Sequence, residues 1–362
     1  MADNELFEII VGTYEEYLLG YKFIKNDREY KLKHTVANHS HKGSLRSVAW
    51  HNKFLASAGT DECIHLYDLH LRKECGLLMH HSGTVTSLSF TPDGHYLISG
   101  SEDGSIAMFA VGSWVLDKVW SKAHKGKAVN SISVHPSGKM ALSIGNDYTL
   151  RTWNLVKGRC AYIVNIASKY KRPEIIEWSL CGNYFGLLDE SKVDVYSVAD
   201  GNVIRTLQLK SKISSIQFLQ EEKICLGDSI GNITCINFLT GDELWIINSK
   251  EENRIKCLKL FDDWLISGNS KGTISVHNIS GNKKPILTTS LETSCRITCM
   301  TISQIPGDDK SQVITKRKKR KSVFETKSVN EEEYKNLKKH LSSKKFNVHC
   351  YPPDQKWHIE LL

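Results

Sequence analysis

An aromatic residue returns to the same local setting about every forty residues along this chain of 362. Tyr67, Phe109, Trp153 and Tyr196 hold the position, and Ile236 and His277 hold it in two weaker copies. By subtraction the steps are 42, 44, 43, 40 and 41 residues. A unit of that length cannot enclose a core of its own. Each copy must bury its apolar face against its neighbours, which leaves repeat arrays and closed rings as the possible architectures.

The third copy is the cleanest. Ala123-His124-Lys125-Gly126 leads into Val129–Val134, where apolar residues alternate. Ala141-Leu142-Ser143-Ile144-Gly145-Asn146-Asp147 and Thr149–Leu155 follow. Alternation of period two marks short strands, and Pro136-Ser137-Gly138 and Gly145-Asn146-Asp147-Tyr148 read as the turns between them. The second copy runs His81-Ser82-Gly83, Thr91-Pro92-Asp93-Gly94, Leu97–Gly104 and Phe109. The first runs His41-Lys42-Gly43, Leu55–Asp61 and Tyr67. Asp61, Asp103 and Asp147 each lie six residues before the aromatic. Such columns predict a β-propeller of WD-type repeats, in which His124, Ser143, Asp147 and Trp153 form one hydrogen-bonded tie. A His-Asp-Ser trio also suits nucleophilic catalysis. Recurrence in successive repeats favours the structural reading, because buried polar groups need partners whether or not they catalyse. In copies four to six Glu190, Ile230 and Lys271 occupy the Asp column, so these blades are expected to rely more on apolar packing than on the polar tie.

The N-terminus indicates how the ring closes. Ile10–Glu16 aligns without gaps to Ile98–Gly104, placing Glu15 in the Asp column and Tyr21 in the aromatic column. The chain therefore enters mid-blade. Residues 6–36 supply three strands, and Arg296–Ile302 is the candidate for the missing inner strand. The expected fold is all-β: a seven-bladed WD40 propeller over residues 1–305, its closing blade shared by both ends. Sharing removes an open sheet edge.

Residues 306–362 read as a basic, largely disordered tail with a short helix at 328–341. Counted from residue 308, the tail carries 14 Lys plus Arg against 8 Asp plus Glu. That is +6 of the chain's +8, so basicity belongs to the tail rather than the propeller. Lys316, Arg317, Lys318, Lys319, Arg320 and Lys321 are consecutive, a pattern read as a nuclear localisation signal. No apolar run reaches the roughly 18 residues of a membrane span. The acidic start Met1-Ala2-Asp3-Asn4-Glu5 lacks a signal-peptide n-region. We expect an intracellular protein whose cysteines are small buried hydrophobes. Phosphate-loop, dinucleotide and zinc-protease motifs are absent, and individual histidines read as repeat ties or surface residues. The expectation is no enzyme, no catalytic residue, no cofactor, no metal, no membrane and no small-molecule substrate.

The segments His80–Leu88, Ala123–Gly126, Val134–Lys139, Leu150–Arg159 and Val11–Glu15 go beyond a generic repeat. Together they resemble the PAK-interacting WD-repeat proteins, whose yeast counterpart is a maintenance-of-killer factor required for making large ribosomal subunits. The resemblance implies a non-enzymatic scaffold in the nucleus and nucleolus. Its implied partners are pre-ribosomal assembly factors or ribosomal proteins and rRNA. It implies as an alternative the binding and inhibition of a PAK-type kinase activated by Rho GTPases. In such propellers the residue before the Asp column faces the loop rim, which nominates Thr60, Glu102 and Asn146 for partner contact. Lys169, Lys171 and Arg172, in a loop joining two blades, are candidates for rRNA phosphate.

Overall fold

The computed structural model describes residues 4–26, 29–220, 222–249, 252–280 and 284–304. These belong to one compact unit, Met1–Asp308. The basic block Lys316–Lys321 and the helix expected at 328–341 lie outside the described residues.

Seven four-stranded antiparallel sheets make up the described structure. Six are contiguous in sequence, and we number them blades one to six: residues 45–78, 85–120, 129–165, 173–208, 213–247 and 255–292. The seventh takes its inner strand Ile297–Gln304 from the far end of the propeller. Its other strands are Asn4–Thr13, Leu18–Lys25 and Tyr30–Asn38. Ile9 pairs with Ile302 and Val11 with Met300. The inner strands pack one against the next around the whole ring, blade seven against blade one included. The mid-blade start and shared closure follow the alignment of Ile10–Glu16 to the second repeat.

Burial explains why the strands differ in composition. Second strands such as Phe54–Gly59 and Met140–Gly145 are buried on both faces and read as near-continuous apolar runs. Outer strands such as Lys73–Leu78 and Arg159–Asn165 are mostly exposed, and the second of these leaves Tyr162, Ile163 and Val164 at the surface. The closing strand Asn4–Thr13 alternates between two neighbours. Phe7, Ile9 and Val11 join the core shared with Cys257, Ile266 and Val276 of blade six. Ile10 joins Leu45, Val48, Leu55 and Tyr67 of blade one. Each such side chain stabilises the ring by about 1.5–3 kcal/mol if fully desolvated.

The aromatic column also has a backbone signature. In all seven described sheets the pairing of third and fourth strands slips at that residue: Tyr67, Phe109, Trp153, Tyr196, Ile236, His277 and Tyr21. A bulge there bends the strand and increases its twist, as a blade requires. Serines on the inner strands join neighbouring blades. Ser47 Oγ accepts from Leu88 N at 2.9 Å, Ser87 Oγ from Ile132 N at 3.2 Å, and Ser131 Oγ from Ile176 N at 3.3 Å.

Candidate functional site

The tie in blade three joins two strands of one sheet, which carry Ser143 and Trp153, to the turns that carry His124 and Asp147. His124 Nδ1 lies 2.8 Å from Asp147 Oδ1, and its Nε2 lies 2.7 Å from Ser143 Oγ. Trp153 Nε1 donates to the same Ser143 Oγ at 2.8 Å. The Asp147 carboxylate can only accept, which places the imidazole proton on Nδ1 and leaves Nε2 to accept from the Ser143 hydroxyl. His124 and Ser143 are fully buried. Burial drives the His124 pKa down, opposed by its hydrogen bond to Asp147. Burial would raise Asp147, but the hydrogen bonds from His124 and Thr149 hold it below its usual range. The same arrangement recurs at His41, Asp61 and Ser57, with distances of 2.8 and 2.7 Å. It recurs again at His81, Asp103 and Ser99, at 3.1 and 2.7 Å. A nucleophile needs an open approach, and Ser143 has none.

Blades four to six keep local polar ties beside their apolar packing. The acceptors, two acids and one amide, lie earlier in the repeat than the column read from sequence. Asp189 accepts Lys171 N at 3.1 Å and Arg172 N at 2.5 Å. Asp228 accepts Ser211 Oγ at 2.6 Å and Asn232 N at 2.7 Å. Asn269 Oδ1 accepts the amides of Lys271, Gly272 and Thr273. Each is the residue paired with, or nearest, the first residue of its inner strand. The backbone there leaves amides to satisfy, and a short acceptor side chain satisfies them locally.

The basic loop is held by this shifted tie. Tyr170 is buried between exposed Lys169 and exposed Lys171 and Arg172. Its hydroxyl lies 2.6 Å from both Asp194 Oδ2 and Tyr196 Oη. The two Asp189 oxygens hold the next two amides. Three cations thus point outward from a loop fixed at Tyr170 and Asp189. Phosphate recognition needs such placed cations, because point charges on a freely moving loop lose more entropy on contact.

Thr60, Glu102 and Asn146 are all exposed, and each directly follows the second strand of its blade. They lie on one rim in three consecutive blades. Asn146 Oδ1 is oriented by Asn130 Nδ2 at 2.9 Å.

The central channel was not singled out from the sequence. Inner strands of all seven blades line a space of about 310 Å³, where Glu177, Lys256 and Lys259 supply the charge among serines. Glu177 keeps part of its surface open to the channel, but protein surrounds it closely. Burial pushes its carboxyl up to about 7, partly opposed by Lys259. Burial and the neighbouring Arg254 lower the Lys256 ammonium.

The family model described as WD40 (WD domain, G-beta repeat) matches residues 30–68, 72–109 and 117–154. The p21-activated protein kinase-interacting protein 1-like of Danio rerio is 36% identical over 316 residues, covering 86% of this chain and 83% of its own. Protein MAK11 of Saccharomyces cerevisiae is 26% identical over 357 residues, covering 83% and 84%. Among solved structures, "Structure of U3-55K" matches with a TM-score of 0.64 at 14% identity, over 72% of this chain and 85% of that one. That likeness concerns the fold alone.

Proposed function

Since the chain belongs to the p21-activated-kinase-interacting WD-repeat family, we propose that it is a non-enzymatic scaffold in nucleolar assembly of the large ribosomal subunit. The observation that carries this reading is the fixed basic loop. Lys169, Lys171 and Arg172 project from a backbone held by Tyr170, Asp189 and Asp194. That is the arrangement expected of a surface meeting rRNA phosphate. The rim residues Thr60, Glu102 and Asn146 form a separate polar surface for an assembly factor or ribosomal protein. The likeness to MAK11 across the propeller, and the maintenance-of-killer resemblance of its motifs, support the same direction. The run Lys316–Lys321 serves nuclear import in this reading.

The test is gradient sedimentation of nuclear extract carrying the tagged chain, with large-subunit rRNA precursors probed across the fractions. The wild type should co-migrate with precursor particles, and a variant with Lys169, Lys171 and Arg172 changed to Glu should leave them. Sedimentation of the wild type only as free protein, with precursor processing normal on depletion, overturns the assembly role. A triple variant that stays on the particles removes the loop from it.

The likeness to a p21-activated protein kinase-interacting protein of Danio rerio favours a second reading, the binding of such a kinase, with inhibition as its proposed outcome. Purified chain that lowers the activity of such a kinase in direct assay supports it, and absence of both binding and inhibition excludes it.

A further inference from the structure

Blade one keeps the tie of blades two and three but changes the two residues beside it. Two positions after the column Asp, blade two has Ser105 and blade three Thr149, and blade one has Cys63. Four positions after it, blade three has Arg151 and blade one has His65. Both replacements are metal-ligating types, and they adjoin His41 and Asp61, which are two more.

In blade three Thr149 and Arg151 occupy Asp147 fully. Asp147 Oδ1 accepts Thr149 N, and Oδ2 accepts Thr149 Oγ1 at 2.8 Å and Arg151 Nη2 at 3.0 Å. Asp103 in blade two likewise uses both oxygens, with Ser105 N on Oδ1. Asp61 does not. Its Oδ2 takes His41 and the amide of Lys42, while Oδ1 is buried without a hydrogen-bond partner. The Asp61 side chain is only 10% exposed. A buried carboxylate oxygen with no donor is costly unless a cation serves it.

The ligand geometry fits such a cation. Donor atoms of His41, Asp61 and His65 lie within 4.8 Å of one another. His41 Nδ1 is 2.8 Å and His65 Nε2 is 3.9 Å from Asp61 Oδ2. These distances straddle the roughly 3.3 Å edge of a tetrahedron with zinc-ligand bonds of about 2.0 Å. The outer ring nitrogens are already held. His65 Nδ1 meets Glu74 Oε1 at 2.7 Å, and Glu74 is held in turn by Ser40 at 2.7 Å. His41 Nε2 meets Ser57 at 2.7 Å. Carboxylate and hydroxyl partners of this kind orient histidine ligands of metals. The cluster comprises His41, Asp61 and His65 among the described residues, so the fourth position is left to water.

The geometry points to a zinc-type divalent cation site formed by His41, Asp61 and His65 in blade one. This goes beyond the scaffold reading, and beyond the sequence reading that expected no metal. On binding, the His41 proton moves from Nδ1 to Nε2, which then donates a hydrogen bond to Ser57 Oγ. Three protein ligands leave one coordination position to water.

The test uses the full chain, cobalt(II) as a spectroscopic probe and zinc(II) as competitor. One equivalent of cobalt should give the visible bands of a tetrahedral site without a near-ultraviolet thiolate band, and zinc should remove them. Two variants take residues already present in blade three, which keeps the fold accessible. Cys63→Thr should take up cobalt as the wild type does, and His65→Arg should lose metal uptake. Zinc should raise the thermal midpoint of the wild type and leave that of His65→Arg unchanged. A folded wild type that takes up no cobalt overturns the site. Equal uptake by His65→Arg also overturns it, by assigning the metal to cysteines elsewhere such as exposed Cys75 and Cys181.

Discussion

Arg72 places one guanidinium nitrogen 2.7 and 2.9 Å from the two carboxylate oxygens of Glu8, across the seam between blade one and the blade that closes the ring. Glu8 is fully buried, and Thr35 donates to the same carboxylate at 2.5 Å. Sixty-four residues separate the acid from the cation. The two residues lie in blades that follow one another in sequence, so the pair reports on how the N-terminal strands seat against blade one.

Removing the cation alone leaves a buried carboxylate with one hydroxyl donor. Arg72→Ala should therefore destabilise the propeller by about 3 kcal/mol, the scale of a broken buried ion pair. Glu8→Gln combined with Arg72→Met should recover much of that loss. Urea unfolding of the three proteins measures both effects. A single variant within error of wild type would show that the seam holds without the pair.

Deleting residues 1–24 tests the closure of the ring itself. It removes strand Asn4–Thr13 and nearly all of Leu18–Lys25. The apolar faces of Cys257, Ile266 and Val276 on one side, and Leu45 and Val48 on the other, lose their cover. The inner strand Ile297–Gln304 loses its pairing partner and becomes an open edge. We expect aggregation. A soluble truncated protein with an unchanged thermal midpoint is incompatible with the shared blade.

What the sequence made legible was whatever repeats. The period placed every blade, and the alignment of Ile10–Glu16 to Ile98–Gly104 placed the closing strand with the correct inner partner. The tie of His124, Ser143 and Asp147 was readable because three successive copies share its His, Ser and Asp. Features outside those columns were not readable. Asp189, Asp228 and Asn269 do the work of the Asp column from an earlier position, and only pairing register shows that. The Glu8–Arg72 contact joins residues from different repeats. Tyr170 read as part of a charged loop, yet it is the buried anchor of that loop. The channel charges Glu177 and Lys259 come from strands of different blades, which a linear pattern does not bring together.

Tyr170 gives a test of loop position separate from loop charge. Its hydroxyl satisfies Asp194, which also accepts Thr206 Oγ1 at 2.7 Å and lies 2.8 Å from Lys192 Nζ. Tyr170→Phe keeps the ring and every cation but leaves that acid short of a donor. The cost should be about 1–3 kcal/mol, the penalty for an unsatisfied buried polar group. Binding to single-stranded RNA should weaken in step, with the salt dependence of the remaining binding unchanged, because the number of phosphate contacts is the same. RNA affinity equal to wild type would mean that the loop keeps its place without the anchor.

The channel acid predicts an unusual pH dependence. In the folded chain Glu177 titrates at about 7, against an ordinary value of 4.5. Between those values the folded state holds a proton that the unfolded state has released. Stability from this group is therefore present at acid pH and lost as pH rises through that window. The full shift overstates the effect, because Glu177 keeps some contact with water in the channel. We expect a loss of about 1–2 kcal/mol. Glu177→Gln cannot ionise, so its stability should exceed that of the wild type above about pH 7 and approach it near pH 5. Urea midpoints of the two proteins across that range give the answer. Parallel curves would mean that Lys259, with water in the channel, already holds Glu177 ionised. A gap that widens with rising pH would identify the channel carboxyl as a source of alkaline instability in this propeller.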